Sequence, residues 1–376
     1  MKVQYIPVGK KQVEDLSWTP HDIATSLLED WLPTMPLNVG TTFFGWPNHI
    51  IQELNAPNQG YMAIQRSLST TDRQWKGVIS WMLGIAGARR VLRQEGYRWI
   101  APASAFYPRS NGQLNPQWPN QFPRTEMIVD RLEGSKSRFR PDYLALRQVG
   151  GGYELAAVEA KGTAMSIAKS TRDKCPDDWR EQVRNITLTL KGDPVYIARH
   201  IVVATRVNPT NSPKPSSRML ALRAWNSANE GREPDPFVVV AIVIANLFGF
   251  LHNIGLPETA NALAKKLTDW SSGKSELLKI DELDGGAIFP PPRLPVDLVL
   301  KTNTQEKIVI DFRGVFRRLI NRLLRSEDTF EALKWIDELD SFFPIDSRPQ
   351  RNIQSKDEAI SVLPYGVIIN TYSSVE

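Results

Sequence analysis

The chain has 376 residues, more than one typical hydrophobic core holds, so about two or three domains are expected. With 41% hydrophobic and 23% charged residues it is too apolar to be largely disordered, and its lone cysteine, Cys175, excludes an intramolecular disulfide framework and a multi-cysteine zinc site. The net charge of +5 is unevenly spread: residues 64–140 hold eleven arginines and two lysines against five acids, a net of +8, the footprint of a surface that meets a polyanion or of solvated helix faces.

The N-terminus carries Lys10, Lys11 and Glu14 and no apolar run of a signal peptide, so a cytoplasmic location is expected. Residues 1–66, rich in Trp, Pro and Asn, read as an accessory segment with one amphipathic helix over His21 to Leu32. From Thr71 a stripe of Trp75, Val78, Ile79, Met82, Ile85, Ala86 and Leu92 predicts a helix that ends before Gly96. Tyr97 to Tyr107 reads as a strand, and the aperiodic PRSNGQLNPQWPNQFPR from Pro108 to Arg124 as a long loop. Pro141 to Gln148 and Tyr153 to Lys161 read as a hairpin turning across Gly150, Gly151 and Gly152. Trp179, Val183, Ile186 and Leu190 predict a helix over Asp178 to Leu190, and His200 to Val207 a buried strand. Residues 67–210 thus form an α/β core of about 140 residues, a mixed sheet flanked by helices.

The remaining residues, 211–376, read as a mainly helical α+β domain behind the linker NPTNSPKPSS. Phe237 to Leu256 carries no charge and is about long enough to span a bilayer, but Asn246, His252 and Asn253 interrupt it. A buried helix is expected, and no membrane partner. A second Pro run, Phe289 to Pro295, precedes two short strands and helical sequence through Leu339. There Arg313, Arg317, Arg318, Arg322 and Arg325 are either a solvated face or one that meets DNA or a partner.

Chemistry concentrates on the hairpin. Pro141-Asp142 opens its first strand, and after sixteen intervening residues Glu159-Ala160-Lys161 closes its second. Strand alternation points Glu159 and Lys161 to one face, and the hairpin can bring Asp142 beside them. Two converging carboxylates with the Ala160 carbonyl make a hard oxygen site suited to Mg²⁺ or Mn²⁺. Lys161 adds a cation that can orient or deprotonate an attacking water and offset developing charge. Glu154, an odd number of positions from Glu159, faces the other way.

At these residues the chain resembles the PD-(D/E)xK nuclease superfamily, whose restriction-endonuclease-like core runs helix, strand, strand, strand, helix, strand. The resemblance covers Thr71 to Val207. It implies metal-dependent hydrolysis of DNA phosphodiesters, with Asp142 and Glu159 as metal ligands, Lys161 as the catalytic lysine and Gln182 as the polar residue on the following helix. Ile186 stands where one exonuclease branch of the family has a tyrosine, a departure from that branch. The extra acid that some members draw from the first helix has only Asp72, Glu95 or Glu126 to match it. The expected function is an endonuclease in restriction, phage defence, repair or mobile-element processing. The alternative is a non-catalytic nucleic-acid-binding or scaffold subunit built on the same core. Arg109, Arg124, Arg138 and Arg140 flank the motif in the basic segment and are expected to contact phosphate, while Trp118, in the long loop, is either core or a platform for a base. A homodimer or a multi-subunit complex formed through residues 211–376 would suit a restriction role.

Overall fold

A computed structural model describes residues 2–6, 13–18, 22–23, 26–27, 30, 54–58, 61–64, 73–108, 122, 126–132, 140–163, 176–209, 218–226, 233–253, 256–274, 283, 300–301, 306–311, 317–342, 352–355, 358–362 and 368–373. The chain opens with β1 (Lys2–Ile6), β2 (Glu14–Ser17), β3 (Leu54–Asn58) and β4 (Tyr61–Ile64), followed by α1 (Arg73–Gln94) and β5 (Trp99–Pro102). Next come β6 (Met127–Arg131), β7 (Tyr143–Val149), β8 (Gly152–Thr163), α2 (Asp177–Arg184), β9 (Ile186–Leu190), β10 (Asp193–Pro194), β11 (Arg199–Arg206), β12 (Asn208–Pro209) and β13 (Arg218–Asn226). The last part holds α3 (Pro236–Asn253), α4 (Pro257–Ser271), β14 (Leu300–Lys301), β15 (Glu306–Asp311), α5 (Arg317–Arg325), α6 (Thr329–Phe342), β16 (Asn352–Ser355), β17 (Glu358–Val362) and β18 (Ile368–Ser373).

A mixed sheet flanked by helices organises the molecule, as the sequence leads one to expect. Its strand order is β12-β4-β1-β13-β11-β8-β7-β5, with β2 paired to β1 and β3 to β4. β5, β7 and β8 pair antiparallel, whereas β8 and β11 run parallel. Gly150 and Gly151 both hold positive φ, 62° and 94°, which a two-residue hairpin turn of matching twist requires. That turn sets Val149 opposite Gly152 and carries the pairing down to Tyr143 opposite Val158. Strands β1 and β4 come from the first 66 residues and β13 from beyond residue 210, so the sheet draws on all three segments that the sequence reading set apart. β13 lies antiparallel on β11 and covers an edge that Val202, Val203 and Ala204 would otherwise leave open.

Helix α1 packs on β8 and β11 more closely than side chains permit. A Cβ on Gly162 would lie 1.5 Å from the Ser80 carbonyl oxygen, one on Gly84 2.5 Å from the Gly162 nitrogen, and one on Gly87 1.9 Å from Thr205 Oγ1. These contacts fall on the face of β8 that carries Val158, Ala160 and Gly162, while α2 lies over the face of Glu159 and Lys161. α3 is apolar around its circumference and buried against β5, β7, α4 and α6, where Asn246 Nδ2 donates to the Ile100 carbonyl at 2.8 Å. Among the described residues no helix is long and apolar enough to cross a membrane.

Two elements depart from the sequence reading. Tyr97 to Tyr107 is a strand only over Trp99–Pro102 and then turns as a 3-10 helix over Ala103–Phe106. The helix expected to reach Leu190 stops at Arg184, and Ile186–Leu190 is β9, paired antiparallel with β6. ITLTL is rich in β-branched residues, and Ile186 and Leu188 are buried on a period of two, so pairing with β6 wins over a helical stripe that the same residues also satisfy.

The glycine contacts predict a sharp contrast in urea unfolding. Gly162→Ala and Gly84→Ala should each cost about 2–4 kcal/mol, because α1 must lift off the sheet. Gly77→Ala, at an α1 position with nothing within 4 Å, should stabilise by up to about 1 kcal/mol.

Candidate active site

Asp142 precedes β7 by one residue, and the register that sets Tyr143 opposite Val158 places it opposite Glu159, on the same face. β7 ends there, so the Ala160 amide has no strand carbonyl to meet. The Asp142 side chain takes that place: the Ala160 N–H donates to Oδ2 at 2.7 Å. Since the N–H and C=O of one strand residue face the same neighbour, the Ala160 carbonyl looks toward Asp142 as well. The backbone of this corner is pinned twice, by the Ala103 N–H on the Asp142 carbonyl at 2.9 Å and by the Tyr107 hydroxyl on the Pro141 carbonyl at 2.7 Å.

Glu159 is 4% exposed. Lys161 Nζ donates to its Oε1 at 2.5 Å and to Gln182 Oε1 at 2.8 Å. Gln182, buried on the inner face of α2, is steadied by its own Nε2 donating to the Asp178 carbonyl at 3.1 Å. Lys161 is therefore held between an acid and an amide while a quarter of its side chain meets solvent. The second carboxylate oxygen of Glu159, Oε2, is buried and has no donor. The structure thus brings together Asp142, Glu159, Ala160, Lys161 and Gln182 from the start of one strand, the end of the next and the following helix.

Burial raises the Glu159 pKa to about 8, the Asp142 charge adds to it, and Lys161 opposes. Burial also raises Asp142, to about 6, with Asp30 adding and the Ala160 amide and Lys161 opposing. Asp142 is crowded by protein yet its surface stays open to water, so burial counts for less there than at Glu159. With both acids ionised neither can donate, which is why Oε2 is left without a partner; a proton on Glu159 can be shared with Asp142. Among the described residues no three His, Cys, Asp or Glu side chains cluster as a metal site. The donors on offer are two carboxylates and the Ala160 carbonyl. An oxygen-only set with an orphaned buried carboxylate oxygen fits a hard divalent cation, which fills remaining positions with water or substrate.

The residues the sequence reading did not find lie on the opposite face. Arg89, fully buried on α1, pairs with Asp30 through Nη2 at 2.9 Å, donates from Nη1 to the Ile100 carbonyl at 3.0 Å and lies over the Tyr143 ring at 4.8 Å. Tyr143 is raised well above its ordinary pKa by burial and then by Asp30, so it stays protonated beside Asp142. The available signal was an arginine inside the apolar run of α1. Asp30 has no counterpart signal, because its partner is 59 positions away.

Other candidates make contacts of their own. Arg140 pairs with Asp130 at 2.9 Å and stacks over Tyr107 at 4.6 Å. Glu154 binds Arg147 at 2.7 Å and Arg199 at 2.8 Å toward the hairpin turn of β8. Glu95 accepts from Tyr5, and Glu126 pairs with Lys191 at 3.3 Å, so neither supplies an extra acid to the site. Arg322 stacks on Trp335 at 3.7 Å and pairs with Glu338. Arg109, Trp118, Arg124, Arg138 and Asp72 lie outside the described residues.

The raised acids predict an inverted pH profile for the metal-free protein. Native Glu159 and Asp142 hold protons more tightly than the unfolded chain, so their contribution to stability is full below about pH 4 and is lost as pH rises toward 8. Urea midpoints measured from pH 5 to 8.5 should fall in wild type. Glu159→Gln should flatten that slope and be the more stable protein at pH 8; an unchanged slope would mean Glu159 titrates normally.

No family model, curated protein or solved structure matches this chain, so its function is argued from the geometry of Asp142, Glu159, Lys161 and Gln182.

Proposed function

We propose that this chain is a divalent-metal-dependent phosphodiesterase acting on DNA, an endonuclease of the restriction-endonuclease-like fold. The observation that carries the reading is the convergence of two acids, a lysine and a glutamine at one corner of the sheet, with Glu159 Oε2 buried and unpaired. With β6, β9 and β10 set apart in a small sheet of their own, the order α1, β5, β7, β8, α2, β11 supports it, matching the helix, strand, strand, strand, helix, strand run of the PD-(D/E)xK core. Here a buried acceptor is left over, which is costly unless a cation or proton meets it.

Asp142, Glu159 and the Ala160 carbonyl would hold Mg²⁺ or Mn²⁺. When bound, such an ion supplies Lewis-acid polarisation of a phosphoryl oxygen and charge neutralisation at the leaving oxygen. The chain's own groups do the rest. Lys161, steadied by Glu159 and Gln182 with a quarter of its side chain in solvent, would orient the attacking water and offset charge as the phosphorane-like transition state forms. Gln182 accepts a second hydrogen bond from that ammonium. The Tyr107 and Ala103 contacts hold the backbone at Pro141 and Asp142. Restriction, phage defence, repair and mobile-element processing are settings in which such a cytoplasmic enzyme would act, alone, as a homodimer or in a larger complex.

Incubating the intact chain with plasmid and with linear DNA in Mg²⁺ and in EDTA tests the proposal. Metal-dependent cleavage is expected, abolished by Asp142→Asn and Glu159→Gln. Lys161→Met should bind DNA in Ca²⁺ nearly as well as wild type and cut about 10²- to 10⁴-fold more slowly. Wild-type rates in any of the three place the chemistry elsewhere. Full DNA binding by every variant with no cleavage in any metal supports the scaffold alternative.

A further inference from the structure

The buried ion pair behind the sheet takes no part in the proposed chemistry, yet it touches the residue next to Asp142. Arg89 Nε and Nη2 both donate to Asp30 Oδ1, at 3.2 and 2.9 Å, while Nη1 donates to the Ile100 carbonyl at 3.0 Å. The Tyr143 hydroxyl hydrogen-bonds to the same aspartate, and the Tyr143 ring lies under the guanidinium. Asp30, Arg89 and Tyr143 therefore close a ring of contacts. All three are buried, and they come from the N-terminal segment, α1 and the start of β7.

Stability does not account for this arrangement. Two ions taken out of water regain about as much as apolar side chains of the same volume would supply, so a buried pair is a poor way to hold a core together. What it adds is direction. A planar guanidinium fixes the orientation of its partners, and a tyrosine held by its ring and its hydroxyl together has one place to lie. Tyr143 follows Asp142 directly, and Asp142 must be set so that its Oδ2 meets the Ala160 amide at 2.7 Å. The segment that delivers Asp30 is itself fastened to the core. Trp18, Ile23 and Leu27 are fully buried, and Arg90, beside Arg89, reaches the Ser17 carbonyl at 3.5 Å.

We infer that Arg89 and Asp30 are positioning residues for Asp142, acting through Tyr143, so that the N-terminal segment sets the geometry of the acid site from behind the sheet. The inference rests on the metal-site reading for its effect on a bound cation, whereas the placing of Asp142 can be measured without one.

Hydrogen exchange at the Ala160 amide, followed by NMR in the metal-free full-length chain, reads the placing of Asp142. Calorimetric titration with Mn²⁺ reads its consequence. Arg89→Met alone leaves a buried carboxylate without its cation, so the pair is replaced together, Arg89→Met with Asp30→Leu, an apolar exchange that buried ion pairs tolerate. Tyr143→Phe, which removes one hydroxyl, is the second variant and decides alone if the double variant does not fold. Tyr97→Phe is the reference: it removes an equally buried hydroxyl, one that donates to Glu154 at 3.0 Å near the turn of the same hairpin. The double variant and Tyr143→Phe should exchange the Ala160 amide at least about 10-fold faster than wild type. They should bind Mn²⁺ about 10- to 100-fold more weakly, the range for losing an outer partner of a metal ligand. Tyr97→Phe should match wild type in both. Equal losses in Tyr97→Phe, or wild-type exchange in a folded double variant and in Tyr143→Phe, overturn the inference. A wild type that binds no Mn²⁺ rejects the metal reading, and the exchange rates still decide the positioning. Metal-dependent cleavage with unchanged exchange in the variants keeps hydrolysis and rejects the positioning.

Discussion

The pairing of β7 with β8 starts from two left-handed glycines, and because strand side chains alternate, that turn decides which face every later residue occupies. A slip of one residue would send Asp142 toward α1 and leave Glu159 and Lys161 with no second acid. The same register ends β7 one residue short of Asp142, which frees the Ala160 amide and lets a carboxylate replace a strand carbonyl. The site is therefore a property of where one strand stops beside another that continues.

Holding charge at that corner is expensive, and the structure shows how it is tolerated. Glu159 is buried with its charge met on one oxygen by Lys161, which is itself shared with Gln182. Behind the sheet a second buried pair, Arg89 with Asp30, is anchored to the Ile100 carbonyl, which also accepts from Asn246 of α3. The Arg89 guanidinium lies on Tyr143, the residue after Asp142. With Tyr107 and Ala103 holding the preceding backbone, the start of β7 is fastened from three directions. A site that needs its oxygens within a few tenths of an ångström requires such support from its neighbours.

Helix α1 joins these parts. Its glycines admit the backbone of β8 at Gly162 and the Thr205 side chain of β11, so the strand end that bears Lys161 is set directly against the helix. Past that contact Gln74, Gly77 and Trp81 of the helix are exposed while Ile79 is buried. The sheet meanwhile grows outward beyond β11 by taking β13, β1 and β4 from distant parts of the chain, which buries an apolar edge at the cost of long-range closure.

Local chemistry was enough to read α1, the glycine turn, the two strands of the hairpin and the spacing that sets Asp142, Glu159, Lys161 and Gln182 together, because each depends on residues within about forty positions of one another and on periods of 2 and 3.6. The apolar run of α3 likewise announced a buried helix. What the sequence could not decide was set by partners far along the chain. ITLTL satisfies a helical stripe and a strand equally well until β6 pairs with it, and Arg218–Asn226, just past the linker chemistry, joins the sheet because β11 and β1 flank it. Arg140, expected to contact phosphate, is also held by Asp130 and Tyr107, and Asp30 is one more helix acid until α1 brings Arg89 against it. Propensity and spacing act over a few turns of chain, whereas burial and charge pairing act across whatever the tertiary fold brings into contact.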